Sequence, residues 1–326
     1  MADWTFLTRL YRQAPVAPQF LTKQIKNIDF SPLPKVNLYS ESNSLTLASL
    51  GKVYDPPTPV NLGVNLSSTL VDPAQIYEYD DITEEMIFSQ NYNPIMPDNV
   101  IASKDYLYAK KVAELKRRVY NRIEWMLAQV ISTGAIAYND GDRAFSVSYG
   151  VSPVTYTLAS TTTKVVSDLR SYVKAMKQNG FSPTHIFVTD NVEKALWDNT
   201  QFKAAVATTT FNVAQMRYDA TEPFVNFVAE VKGLPPIYNY GGNIGGSDLI
   251  TGNKIILVDF NALGIAYGAI VNANLDPQMN PIAADAVSWE ENTNHGASRS
   301  IFVMSRPLPY ILNAGAVKIL TVTISQ

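Results

Sequence analysis

The amino-acid sequence predicts an α+β fold organised around one long helix, and three observations indicate it. Residues 103–134 carry apolar side chains at steps of three and four without a proline, as in a helix with one buried stripe. Apolar and polar residues alternate on either side of this stretch, in residues 45–66 and again in 135–149, which is the period of a strand. Residues 165–258 then show helical and buried-strand patterns in turn, an α/β layout.

The long helix has a clear apolar face, formed by Val112, Leu115, Val119, Ile123, Met126, Leu127 and Val130. Ser103 is expected to cap its start and Gly134 to end it in a left-handed turn, which gives a length of about 45 Å. Its other faces carry seven basic residues, listed as Lys104, Lys110, Lys111, Lys116, Arg117, Arg118 and Arg122. Only Asp105, Glu114 and Glu124 oppose them, so the sequence predicts a solvated basic surface with a local charge of +4.

Residues 1–36 are typical of an arm rather than a domain, because prolines separate short apolar patches. The arm has a charge of +3, and Trp4 and Phe6 are candidates for contacts between subunits. Exposed apolar residues are unfavourable in water, so we expect the arm to dock on its own subunit or, in our preferred interpretation, on a neighbour.

Residues 35–79 predict a long β-hairpin around a proline-rich turn at 55–59. Between Val53 and Ser103 there are eight acidic residues and no basic one. We interpret this as head-to-tail association, in which the acidic side is Asp55, Asp80, Asp81, Glu84 and Glu85. The basic side on the next copy is Lys110, Lys111, Arg117, Arg118 and Arg122. Simple solvation of a surface hairpin is the alternative, and calcium binding by the acids lacks the spacing of a known site.

Composition excludes several classes of protein. The 326 residues include no cysteine, so disulfides, thiolate zinc sites and cysteine nucleophiles are absent. The net charge of −3 gives no global basic excess for sequence-specific nucleic-acid binding. We see no signal peptide, and the most apolar run, residues 265–271, is too short to span a bilayer, so we expect a soluble protein.

No catalytic, cofactor or metal site is predicted, and we expect the protein not to be an enzyme. The glycine cluster at 241–246 lacks the lysine and hydroxyl residue of a P-loop and is interpreted as a flexible surface loop. His185 precedes a buried strand and is interpreted as a packed or capping residue rather than a general base. His295 lies in a polar turn, where it and the adjacent Glu290 and Glu291 are weaker candidates for metal ligands.

The chain resembles the major capsid proteins of tailed bacteriophages, specifically the lambda-type major head protein (capsid E) family. The resemblance lies in the order and spacing of the segments 112–115, 125–134, 186–188 with Trp197, 256–258, 264–268 and 300–309. It implies the Hong Kong 97-type capsid fold, with an N-terminal arm at 1–36 and an extended loop at 37–82. A peripheral domain at 83–160 and 286–326, with a spine helix at about 104–133, and an axial domain at 161–285 complete the expected organisation.

The resemblance also implies a function, that of a shell protein that assembles through hexamers and pentamers into an icosahedral head around double-stranded DNA. The resemblance implies a portal and a decoration protein as partners. A separate scaffolding protein is also implied, because no long helical prodomain precedes the arm. Cross-linking through Lys52 is disfavoured, since no matching glutamate context is found. The alternatives are a bacterial nanocompartment shell protein and a nucleotide-binding α/β enzyme.

Overall fold

The computed structural model describes residues 4–41, 66–83, 85–86, 100–140, 143–208, 224–293 and 298–325. Within them, the helices are α1 Trp4–Gln13, α2 Phe20–Gln24, α3 Val100–Thr133, α4 Val165–Gln178, α5 Asp190–Asp198 and α6 Thr200–Thr208. The first strands are β1 Asn27–Phe30, β2 Val36–Glu41, β3 Leu66–Val71, β4 Ile76–Thr83, β5 Ala135–Asp140, β6 Arg143–Ser148, β7 Val154–Ala159, β8 His185–Val188 and β9 Val225–Ala229.

The remaining strands are β10 Ile237–Tyr240, β11 Asn243–Ile244, β12 Ser247–Asp248, β13 Lys254–Val258, β14 Leu263–Tyr267, β15 Val287–Thr293, β16 Ser298–Ser305, β17 Pro307–Ile311 and β18 Val317–Ser325. The mixture of helices and strands confirms the predicted α+β class.

The described residues divide into two compact units. Unit 1 draws on Met1–Val36, Leu70–Leu127 and Ile265–Pro309, and unit 2 on Asn37–Thr69, Ala128–Gly264 and Tyr310–Gln326. The predicted division, with 83–160 and 286–326 in a peripheral domain and 161–285 in an axial domain, stays a prediction. The last strand, β18, pairs with β7 and β13 of unit 2, where its Ile319, Leu320 and Val322 are buried.

The long helix α3 confirms the central prediction from the sequence. Each residue of its predicted apolar stripe is buried. It begins at Val100, so Ser103 lies inside the first turn instead of capping it. Gly134 ends the helix as predicted, with a φ of 71°. A side chain there would also place its Cβ 2.5 Å from that of Val151. The position therefore requires glycine both for its positive φ and for the lack of space.

Unit 1 contains a three-stranded antiparallel sheet in the order β15-β16-β4. Trp289, Phe302 and Tyr79 lie opposite one another across its three strands. The sequence analysis placed Glu290 and its neighbours in a polar turn, which is wrong for 290–293, since these residues continue β15. The alternation of the apolar Val287 and Trp289 with the polar Ser288 and Glu290 was the missed strand signal.

Unit 2 contains a six-stranded mixed sheet in the order β7-β18-β13-β8-β10-β9. The side chains Ile255, Ile256, Leu257 and Val258 of β13 are all at most 1% exposed. Successive strand residues point to opposite faces, so both faces of this central strand are covered. The helix α5 packs against β7, β10 and β18 of the same sheet.

Two predicted hairpins are present where the structure describes them. β5 and β6 pair antiparallel, with Ala135 opposite Ser148, as predicted. β2 and β3 pair with each other and form the base of the predicted long hairpin. The remainder of that hairpin, including its proline-rich turn, lies outside the described residues.

Candidate assembly surface

The N-terminal arm docks on its own chain, through α1 against β15. Leu7 and Tyr11, one turn apart on α1, are 1% and 2% exposed. Thr8 exchanges two hydrogen bonds with Ser288 of β15, donating from Oγ1 to the carbonyl at 3.3 Å and accepting from the amide at 3.1 Å. The described arm therefore docks within its own subunit, the other of the two expectations, and contact with a neighbour stays a prediction.

Lys116 of α3 holds the C-terminal end of α1. Its Nζ donates to the carbonyl oxygens of Arg12 and Ala14, both at 3.0 Å, where the last carbonyls of a helix lack partners. The same Nζ lies 5.6 Å from the ring centre of Tyr11 and 5.7 Å from that of Tyr120. Burial lowers the pKa of the Lys116 ammonium, and the carbonyl contacts satisfy its charge.

Glu124, two turns further along α3, holds the N-terminal end of α2. Its carboxylate accepts hydrogen bonds from the amides of Leu21 at 2.8 Å and Thr22 at 3.0 Å, and from the Thr22 hydroxyl at 2.8 Å. The side chain is fully buried. A carboxylate at a helix start satisfies amides that lack intrahelical partners.

Together these two residues form the arm clamp, defined here as Lys116 and Glu124 of α3. Each charge matches the end of the arm helix that it touches, positive at the carbonyl end and negative at the amide end. The sequence analysis counted both among the solvated charges, which is wrong, since they are 5% and 0% exposed. Their spacing in the sequence was the available signal. Lys116 lies seven residues before Ile123 and Glu124 lies three residues before Leu127, and both spacings place a residue near the apolar face of the helix.

The acids of β4 pair with the bases of α3 within one chain. Lys111 Nζ lies 2.9 Å from Asp80 Oδ1, and each of these side chains is 17% exposed. Arg118 lies 3.4 Å from Glu78 of β4 and 3.1 Å from Glu114 of its own helix. Asp80 and Lys111 were both predicted to face neighbouring copies, so this part of the predicted charge match is already satisfied inside the subunit.

The other predicted acidic contacts fall in different surroundings. Asp81 lies opposite Ser300 in the sheet and accepts a hydrogen bond from its hydroxyl. Glu85 is exposed. Asp55 and Glu84 lie outside the described residues. Among the predicted acidic contacts that the structure describes, only Glu85 is therefore an exposed carboxylate available to another molecule.

Four of the five predicted basic contacts on α3 are exposed, Lys110, Arg117, Arg118 and Arg122. The Arg122 guanidinium lies 5.4 Å from the ring centre of Trp125. Within the part of the chain that the structure describes, Lys110 and Arg117 form no ion pair. Among the described residues, these two cations therefore have no acidic partner.

The arm's own predicted contact residues divide in a similar way. Phe6 is 59% exposed on the side of α1 away from β15. Trp4 begins α1, and its side chain lies outside what the structure describes. Their role between subunits stays a prediction.

Two exposed apolar surfaces of unit 1 were missed by the sequence analysis. On and after the short strand β1, Ile28, Phe30 and Leu33 are each at least 50% exposed, and the Phe30 ring stacks on Tyr267 at 5.6 Å. On β4, Tyr77 and Tyr79 are 44% and 54% exposed and flank the buried Phe302. Alternation along β4 was the available signal, because its tyrosines alternate with acids.

His185, the weak catalytic candidate, is a packed residue, as predicted. Its ring lies 5.1 Å from Phe260, 5.4 Å from Tyr238 and 5.9 Å from Phe187 between ring centres. Burial lowers the pKa of the imidazole to about 4, so the ring is neutral at physiological pH. His295 lies outside the described residues.

The glycine cluster at 241–246 contains a short hairpin that was not predicted. β11 and β12 pair with Asn243 opposite Asp248, and Gly245 and Gly246 form the two-residue turn between them. Both glycines have positive φ, 60° and 85°, as a tight hairpin turn of the primed type requires. The loop prediction missed this hairpin because its strands are only two residues long.

A shallow polar cleft of about 390 Å³ lies beside this hairpin and includes Asp190 and Asp248. Across the described ranges, no group of three or more histidine, cysteine, aspartate or glutamate side chains is placed to hold a metal ion. No helix in the described part of the chain is long and apolar enough to cross a membrane.

Comparison with solved structures shows the fold. The chain is similar to a capsid protein of a prophage of E. coli CFT073, with a TM-score of 0.67, 12% identity and coverage of 98% of this chain and 99% of that one. It is similar to a phage-related protein from Bordetella bronchiseptica RB50, with a TM-score of 0.52, 10% identity and coverage of 97% and 95%.

The cyanophage P-SCSP1u capsid gives a TM-score of 0.51 at 10% identity, with coverage of 95% of this chain and 90% of that one. These similarities confirm the Hong Kong 97-type capsid fold. No curated protein sequence matches the chain. The family described as phage major capsid protein E matches residues 3–322, nearly the whole chain, and the protein therefore belongs to this family of virion structural proteins.

Proposed function

We propose that this major capsid protein assembles through hexamers and pentamers into an icosahedral shell that encloses double-stranded DNA. The family membership supports self-assembly, and one structural observation supports the location of the contacts. Among the described residues, ten of the eleven exposed large apolar or aromatic side chains belong to unit 1, with Ile324 as the exception. Exposed apolar surface on this scale is typical of protein–protein contacts.

The arm has a particular place in this proposal. Because the arm clamp holds α1 and α2 on their own subunit, we assign the contacts between subunits mainly to exposed side chains of unit 1. The apolar strip Ile28, Phe30 and Leu33, which follows α2 within the arm, is the strongest candidate. The predicted hairpin between β2 and β3, whose residues 37–69 belong to unit 2, is the second, together with the predicted contacts Phe6 and Glu85.

Further partners belong to the same proposal. A separate scaffolding protein, a portal and a decoration protein are expected to act with the shell, which would assemble in the host cytoplasm and end in the virion. The DNA inside is held through its phosphates, without base recognition, since the chain as a whole is not basic.

The test is to express the chain alone and with candidate scaffolding proteins, and to measure particle size by sedimentation and electron microscopy. We expect closed shells or capsomer rings. The variant Ile28→Ser/Phe30→Ser should remain folded by circular dichroism but lose the rings, because it removes apolar contact area. Ile324→Ser, which changes the exposed apolar residue of unit 2, is the matched control and should assemble normally.

A monomer under every condition would overturn the proposal. Normal rings from the Ile28→Ser/Phe30→Ser variant would leave assembly intact but reject this strip as the contact. Particles that enclose a protein cargo in place of DNA would favour the nanocompartment alternative.

A further inference from the structure

The helix α3 carries two basic pairs of neighbouring residues, Lys110-Lys111 and Arg117-Arg118. They are seven residues apart, so corresponding members lie about 10 Å apart along the axis and about 20° apart around it. The second members face β4, where Lys111 pairs with Asp80 and Arg118 with Glu78. The first members, Lys110 and Arg117, share a different face, turned by about 100°.

This outer face is exposed, and among the described residues no acid lies against it. Lys110 and Arg117 are both exposed, and no ion pair involves either of them within the described ranges. Tyr106, one turn before Lys110, is 49% exposed and adds a hydroxyl group to the same face. The two like charges lie about two turns apart and repel each other weakly, and an external anion that contacts both removes this repulsion.

A second copy of the chain is a poor source of that anion. Three described acids of the acidic segment are engaged within their own subunit, Asp80 and Glu78 with α3 and Asp81 with Ser300, and only Asp72 and Glu85 among the described ones stay exposed. A phosphate backbone fits better, because it offers closely and regularly spaced negative charge to a rigid row of cations. Lysine, arginine and tyrosine side chains all contact phosphates in protein–DNA interfaces.

We propose that the outer face of α3, formed by Tyr106, Lys110 and Arg117, binds the phosphates of double-stranded DNA without reading its base sequence. The spacing of about 10 Å between the two cations corresponds to about three base-pair steps of 3.4 Å, so both reach one duplex. This inference rests on the proposed function, in which the shell encloses such DNA, and it names the residues that contact it.

The test uses the full chain, kept unassembled at low protein concentration, and a fluorescent 30-base-pair duplex of arbitrary sequence. Binding is followed by anisotropy between 50 and 300 mM NaCl. Neutralising both cations, in Lys110→Gln/Arg117→Gln, removes two phosphate contacts. The slope of log affinity against log salt should become less negative by about 1.8, and affinity at 0.1 M salt should fall on the order of 60-fold.

The matched control is Lys111→Gln/Arg118→Gln, which makes the same change in net charge at the adjacent positions. Because these two cations already pair with β4, the control should keep the wild-type slope. A second duplex of different sequence should bind equally well.

Several results would overturn the assignment. Equal loss in both variants would indicate a general charge effect, and unchanged binding in the outer-face variant would place the DNA elsewhere. If the wild-type chain binds no duplex and the outer-face variant fails to form capsomers, the face contacts a second copy. Sedimentation of the wild-type chain separates this failure from that of the proposed function, since shells can form whether or not this face binds DNA.

Discussion

The two units differ in the interactions that hold their elements together. In unit 2, the central strand β13 buries four consecutive apolar side chains, and β8 beside it buries Ile186, Phe187 and Val188 almost completely. In unit 1, the arm is held on α3 partly by two buried charges, Lys116 and Glu124, while Tyr77 and Tyr79 of β4 are about half exposed.

The difference separates internal stability from contact with other molecules. Opening an apolar core is costly, because its whole apolar area is exposed to water. Separating the clamp charges from the helix ends costs less free energy, because the charges and the helix ends then form hydrogen bonds with water. Unit 2 is therefore the part of the subunit in which substitutions should mainly affect folding. Unit 1, with its exposed apolar side chains and charged clamp, is the part in which substitutions should affect contacts at a smaller cost in stability.

The largest effect is expected in unit 2, from Phe187→Ala. The Phe187 ring is fully buried and packs against Tyr240 and Phe260 at 5.5 and 6.1 Å between ring centres. Its removal should lower the free energy of unfolding by about 3–5 kcal/mol, measured by urea denaturation. Ile324→Ala, at an exposed position of the same unit, should change it by less than about 0.5 kcal/mol. A loss below about 1 kcal/mol for Phe187→Ala would contradict the contrast between the units.

A smaller effect is expected in unit 1, from Glu124→Gln. Glutamine is neutral and has one acceptor oxygen where the carboxylate has two, so the Leu21 and Thr22 amides both lose a charged acceptor and one oxygen remains for the two of them. We expect a loss of about 1–3 kcal/mol and faster hydrogen exchange at these two amides, with earlier tryptic cleavage at Arg12. Glu114→Gln, at a half-exposed position of the same helix, is the control. Unchanged exchange at Leu21 and Thr22 would contradict the clamp.

The same contrast marks what the sequence could predict. Apolar periodicity alone identified α3 and the buried strands β8 and β13, because their apolar patterns are continuous. It did not predict where the arm docks, although Leu7, Thr8 and Tyr11 already follow helical spacing in the sequence. Docking depends on Lys116 and Glu124 meeting helix ends more than 100 residues away in the chain, and no local pattern contains that pairing.

The candidate contacts were predicted less well than the fold. A charge count correctly found an acidic segment and a basic helix, but it treated them as surfaces of different copies. The adjacent residues Lys110 and Lys111 show why, since only their angle around α3 decides that one pairs with Asp80 and the other faces outward. The pairing of β4 with β16, far along the chain, brings those acids to the helix, and spacing in the sequence does not encode it.

A pH effect of about 1 kcal/mol is expected from His185 in unit 2. Its pKa is lowered by burial to about 4, below the ordinary value of 6.5, so only the unfolded chain binds a proton between these values. The stability contribution is therefore complete above pH 6.5 and is lost as the pH falls towards 4, with the size reduced by partial exposure of the ring. His185→Phe should show a smaller fall in melting temperature between pH 7 and 4.5 than the wild type. Parallel falls in both proteins would reject this role.

The smallest effect is expected from the ion pair between Lys111 and Asp80. In a double-mutant cycle with Lys111→Gln and Asp80→Asn, the coupling should be about 0.5–1 kcal/mol at low salt and weaker at 0.5 M NaCl. Arg118 and Glu78, which are more exposed and 3.4 Å apart, should couple less strongly.

Zero coupling energy between Lys111 and Asp80 at low salt would mean that the ion pair does not hold the Asp80 carboxylate against α3. Asp80 would then be available to the basic face of a neighbouring copy, as the charge pattern of the sequence first indicated. In that case Lys110 and Arg117 would have an acidic partner in the shell itself, and a neighbouring subunit would replace DNA as the expected partner of their face.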